Sequence, residues 1–210
     1  MRCTHSGQQQ GGFFMQTKRR NKEQTEKLAL MALLTAIVAV LAYFGGFIKI
    51  GGLASISLTL IPVVLGAAMC GPLCGAWLGA VSGIVFFATA DAIFWFGLGI
   101  AGTIITVMVK GILAGFCAGV VYKALAKFNR YAAVIVSAIV CPVVNTGIFL
   151  LGCLTFFSDF INSSASAEGM SVGGFLIVIM VGLNFVFELL ANIILSPAIL
   201  RVLNIRNKKA

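Results

Sequence analysis

The sequence predicts an all-α integral membrane protein, a bundle of six transmembrane helices. Residues of apolar type make up 60% of the chain and charged ones only 10%, against roughly 25% charged in a soluble protein. So few charges cannot cover a water-facing surface, and a lipid-facing backbone must satisfy its own hydrogen bonds. The apolar runs reach helix-spanning length and lack the period-two alternation of an outer-membrane barrel. The Lys and Arg residues gather at the ends of these runs, which marks topology and not a nucleic-acid-binding stripe.

Residues 1–27 read as a cytoplasmic, basic and disordered tail, with Met15 as an alternative start, and no secretory signal is evident. The membrane domain then covers 28–203, and 204–210 form a second cytoplasmic tail. Span one is expected from about Leu28 to Phe44, followed by a glycine-rich stretch to Ser57. Span two, about Leu58 to Met69, contains Pro62, and Gly71-Pro72 turns the chain into span three, about Leu73 to Ala90. Asp91 to Ala101 carries Phe94-Trp95-Phe96, rings suited to a membrane–water interface. Span four, about Gly102 to Tyr122, leads to a basic link with Lys123, Lys127 and Arg130. Span five runs from about Tyr131 to Phe157 around Pro142, Ser158 to Val172 is a polar loop, and span six covers about Gly173 to Leu200.

With six spans both tails share one side. That side holds 13 of the 15 basic residues, the opposite side only Lys49, and Lys110 lies inside a span. The positive-inside rule therefore makes both termini cytoplasmic.

Small residues form stripes. Gly71, Gly75, Gly79 and Gly83 recur in span three, and Gly111, Gly115 and Gly119 in span four. Such faces allow close helix approach, within the bundle or between copies. Ala29, Ala32, Ala36 and Ala39 line one face of span one, as internal packing or as a docking face for another membrane protein.

Ionisable groups at membrane depth cost at least about 2.5–3.5 kcal/mol and point to function. Lys110, Asn145 and Asn184 lie eight, twelve and eleven residues from the outer ends of their spans. Those separations are depths of roughly 12, 18 and 16 Å. Glu188 follows Asn184 by four residues on the same helix face and is placed to neutralise Lys110. With Thr146, and Asn192 as a weaker member, these residues suit a small anionic or zwitterionic solute bearing hydroxyl or amide groups. The alternatives are a snorkelling lysine and interhelical asparagine bonds.

Catalytic chemistry has few candidates. His5 is the one histidine, the six cysteines show no pairing or metal spacing, and no phosphate-loop motif is present. No cofactor, metal site or catalytic residue is expected, and no repeated filter suggests a channel.

The run Leu58-Thr-Leu-Ile-Pro62-Val-Val-Leu-Gly66, followed by Gly71-Pro72-Leu-Cys-Gly75-Ala-Trp-Leu-Gly79, resembles the substrate-binding S components of energy-coupling factor (ECF) transporters. Within them, Pro142-Val-Val-Asn145-Thr146-Gly147-Ile-Phe149 is most similar to the pantothenate branch, with folate and riboflavin branches as alternatives. The resemblance implies an ABC-type importer of the bacterial plasma membrane. Its S component binds a water-soluble vitamin from outside and docks through span one on a membrane coupling subunit. Two separate cytoplasmic ATPases supply the energy, and the chain itself is no enzyme. Lys110 would then meet a carboxylate, and Asn145 and Asn184 amide and hydroxyl groups. A structural or regulatory membrane protein and a small secondary carrier are the readings from other classes.

Overall fold

The computed structural model describes residues 6–45 and 57–209, with side chains over 24–45, 57–182 and 184–203. The stretch 46–56, with Lys49, and residues 1–5, with Cys3 and His5, lie outside the described residues. The chain divides into two units, Met1–Leu33 and Leu34–Ala210. Among the described residues every regular element is helical.

Helix α1 spans Ser6–Gly45, so the polar lead-in is helical and not the unstructured tail expected up to residue 27. Its Gln, Lys, Arg and Glu residues are good helix formers, and no proline interrupts them. After α1 come α2 (Leu60–Cys70), α3 (Pro72–Phe86), α4 (Ala90–Leu98), α5 (Ile100–Leu125) and α6 (Arg130–Phe156). Then come α7 (Ser158–Ala167), the short α8 (Val172–Phe175) continued by a π-helical stretch Leu176–Val181, and α9 (Gly182–Lys209).

Among the described residues four helices are long and apolar enough to cross a membrane, or up to six spans when each bent helix pair counts as one. The number agrees with the sequence, but the composition of the spans differs. Helix α2 has 11 residues, roughly 16 Å of rise, short of the roughly 30 Å hydrocarbon core. Helices α3 and α4 form one pair bent by 83°, and α7 with the Val172–Val181 segment another bent by 94°. The polar Ser158–Val172 loop is thus largely helix α7, and the expected sixth span is broken at Gly182. Gly182 has φ 44°, which a residue with a Cβ rarely adopts, so α9 starts afresh there. Gly71, at φ 101°, makes the corresponding turn before Pro72 opens α3. At its far end α9 continues through the expected tail to Lys209.

The two glycine stripes pack on each other. A Cβ on Gly75 would strike the backbone of Gly115, one on Gly79 the backbone of Gly111, and one on Gly119 that of Pro72. Helices α3 and α5 therefore run antiparallel with their backbones in contact, which settles these stripes as internal packing. Helix α6 runs back along α5, with Gly102 against Phe156 and Gly152 against Thr106. Its first turn is capped by Asn129, whose Oδ1 accepts from the Tyr131 and Ala132 amides at 2.8 and 3.3 Å.

Above this packing lies an aromatic cluster. Trp95 is buried in this cluster, where α4 meets α5 and α6. Its ring meets Phe149 and Phe157 edge-on, each at 5.4 Å between centroids. Thr103 Oγ1 donates to the Trp95 carbonyl at 2.8 Å and ties α4 to α5.

The glycine contact yields a direct expectation. Gly79→Ala should cost on the order of 1–3 kcal/mol, because its Cβ has only helix backbone to push against. Gly97→Ala, whose Cβ meets nothing within 4 Å, should be neutral or stabilising. Thermal unfolding of both variants in one detergent checks the contrast; equal midpoints would mean that α3 and α5 do not touch through Gly79.

Candidate functional site

The site forms where α5, α6 and α9 face one another beneath the aromatic cluster. Helix α5 supplies Lys110, which follows from the glycine face: the adjacent Gly111 is pressed on Gly79, and this fixes the rotation of α5. Helix α6 supplies Asn145, Thr146 and, one turn on, Phe149. Helix α9, restarted at Gly182, supplies Asn184 and Glu188 one turn apart.

All five residues named from the sequence, Lys110, Asn145, Thr146, Asn184 and Glu188, line one cavity. Asn145, Asn184 and Glu188 are buried, and Lys110 and Thr146 are half-buried. Asn192 does not line the cavity. It lies one turn below, where its Nδ2 donates to the Glu188 carbonyl at 2.8 Å.

The cation is held by rings. Lys110 Nζ lies 4.9 Å from the centroid of Phe149 and 5.7 Å from that of Phe86, within cation–π range. Phe149 is itself braced by Trp95. Glu188 lines the same cavity from α9. One Glu188 oxygen, Oε1, accepts the backbone N–H of Ser57 at 2.7 Å. A charge-assisted bond of this kind is the stronger sort of hydrogen bond, and it ties the entrance of α2 to α9.

Ser57, Phe149 and Phe185 line the cavity and were not legible as site residues. Phe149 had a usable signal, since it sits four residues after Asn145 on the same helix face. Ser57 had none, since a serine at the end of a glycine-rich stretch reads as an ordinary loop residue. The arrangement offers one cation, one carboxyl group, two amides, a hydroxyl and aromatic walls. It can recognise a small polar solute, and nothing in it resembles a nucleophile paired with a base.

The family model described as ECF transporter, substrate-specific component, matches residues 26–200. No curated protein and no solved structure matches the chain. The chain belongs to the family of ECF transporter substrate-specific components. It is a multi-pass membrane protein, and such components are substrate-binding transporter subunits, not enzymes. They work on a small-molecule substrate with a membrane-embedded partner complex.

Proposed function

We propose that this substrate-specific component captures a small water-soluble vitamin, pantothenate in the first place, at the cavity of Lys110, Asn145, Thr146, Asn184 and Glu188. The observation that carries this reading is the convergence of these five residues from α5, α6 and α9 on one cavity. Pantothenate has a carboxylate for Lys110 and an amide and hydroxyls for the asparagines, Thr146 and Glu188. Folate and riboflavin are the alternatives within the same reading.

Delivery then requires docking on a membrane coupling subunit driven by two separate ATPases. The docking face is the alanine stripe of α1. Leu34 and Val38 are buried, whereas Ala36 is exposed and Ala39 half-buried. In the first unit Ala29 and Ala32 are likewise exposed. Membership of the bacterial plasma membrane and cytoplasmic termini complete the proposal, supported by the basic residues at the tails and in the link Lys123–Arg130.

Three measurements test this reading. Lys110→Met should weaken binding of pantothenate by about 10- to 150-fold, the worth of a charge-assisted hydrogen bond. Its carboxamide analogue should lose less. Isothermal titration of both ligands on both proteins reads the difference, and unchanged affinity in a folded variant would remove Lys110 from the site. Ala32→Trp and Ala36→Trp should abolish co-purification with the coupling subunit while ligand binding persists; normal yields would place docking elsewhere. Ser163→Cys, at an exposed position of α7, should react with an impermeant thiol reagent on intact cells. Reaction only after permeabilisation would invert the orientation.

A further inference from the structure

The link between α5 and α6 is short, basic and aromatic. Residues 126–129 join Leu125 to Arg130. Lys123, Lys127, Phe128, Arg130 and Tyr131 are all exposed, Phe128 to 89% and Tyr131 to 62%. The turn ties up its own main chain. Ala126 donates its amide to the Tyr122 carbonyl at 2.8 Å, and Phe128 and Asn129 donate to that of Leu125, each at 3.0 Å. Asn129 then caps α6. A turn whose amides are satisfied internally can lie at the edge of a bilayer.

The charges at this end of the bundle have no counter-charge. Helices α5 and α9 both start at the aromatic cluster, α5 through the Thr103–Trp95 bond and α9 just after Met180. Arg201, exposed near the far end of α9, therefore stands at the same end as the link. Among the described residues of the second unit the acids are Asp91, Asp159, Glu168 and Glu188. Asp91 is on α4 and Asp159 and Glu168 are on α7 and at its end, the two helices that build the aromatic cluster, while Glu188 lines the cavity. Lys123, Lys127, Arg130 and Arg201 thus form a rim of one sign. Topology accounts for such charges, but it does not call for a phenylalanine left almost wholly uncovered between two of them. Aromatic rings settle at headgroup level, and lysine and arginine lay their stems along apolar surface while the charge reaches outward. A ring flanked by cations matches a phospholipid, with acyl chain for the ring and phosphate for the cations. A net-negative headgroup fits better than a zwitterionic one, because no acid stands at this rim to receive an ammonium.

We infer that the α5–α6 link, with Arg201 beside it, is a binding site for anionic phospholipid headgroups. Phe128 and Tyr131 enter the interface, and Lys123, Lys127 and Arg130 hold the phosphate. The site fastens this end of the α5–α6 hairpin to one leaflet. It is separate from the solute cavity and does not depend on which solute binds there.

The test titrates the purified full chain in detergent with phosphatidylglycerol and with phosphatidylcholine of the same acyl chains, and counts bound lipid by native mass spectrometry. At low salt the native chain should hold phosphatidylglycerol at least about 10-fold more tightly, or 1.4 kcal/mol. The preference should shrink as salt is raised. The triple variant Lys123→Gln, Lys127→Gln, Arg130→Gln should abolish it. Phe128→Ser should weaken both lipids and keep the preference. That variant and the salt series decide the matter if the triple variant fails to fold. Equal affinity for the two lipids in the native chain, a preference unmoved by salt, or one retained in the triple variant overturns the proposal. Equal affinity together with loss of co-purification with the coupling subunit in the triple variant also overturns it, and makes the link a protein-docking face instead.

Discussion

The backbone contact between α3 and α5 is the constraint on which the site depends. A helix in lipid gains little from burying apolar side chains, so it is held by close packing and polar contacts. Gly75 on Gly115 and Gly79 on Gly111 bring two backbones together with no side chain between them. This fixes both the separation and the rotation of α5. Lys110, next to Gly111, then stands between Phe86 of α3 and Phe149 of α6, on the cavity that α6 and α9 line.

The cation is made tolerable by a chain of rings. Trp95 is buried under α4, meets Phe149 edge-on, and Phe149 faces the Lys110 ammonium. Thr103 anchors the Trp95 carbonyl to α5, the same helix that carries Lys110. The aromatic cluster thus does two things. It closes the bundle at the end where α4 and α7 bend, and it sets the electrostatic surroundings of the site. Glu188 supplies the opposite charge from α9, with one oxygen committed to the Ser57 amide.

Much of this was legible in the sequence, for identifiable reasons. Composition and basic-residue placement gave the membrane class, and depth along each span placed Lys110, Asn145 and Asn184 at one level. Depth is a one-dimensional property that a helix preserves, so residue counting recovers it. Bends are not preserved in this way. The α3–α4 and α7–α8 breaks, the short α2 and the restart at Gly182 arise from tertiary packing and a left-handed glycine. Contacts made by the main chain, such as Ser57 to Glu188, leave no trace in residue type.

Two kinds of small-residue stripe look alike in sequence, yet the structure uses them differently. The glycines of α3 and α5 are consumed by each other, and a Cβ at Gly75, Gly79, Gly111 or Gly115 has no room. The alanines of α1 are different. Leu34 and Val38 occupy the buried side of that helix, and Ala36 is left exposed. Internal packing therefore accounts for the glycines without remainder and does not account for Ala36. In lipid alone, an exposed small residue has no advantage over leucine, since either meets the acyl chains equally well. It gains one when another helix comes close enough to touch backbone. The proposed docking face follows from that asymmetry. It lies on the side of α1 opposite Leu34 and Val38, while Leu41, Ala42 and Gly45 at the carboxy-terminal end of α1 line a cavity shared with α2, α3, α5 and α6.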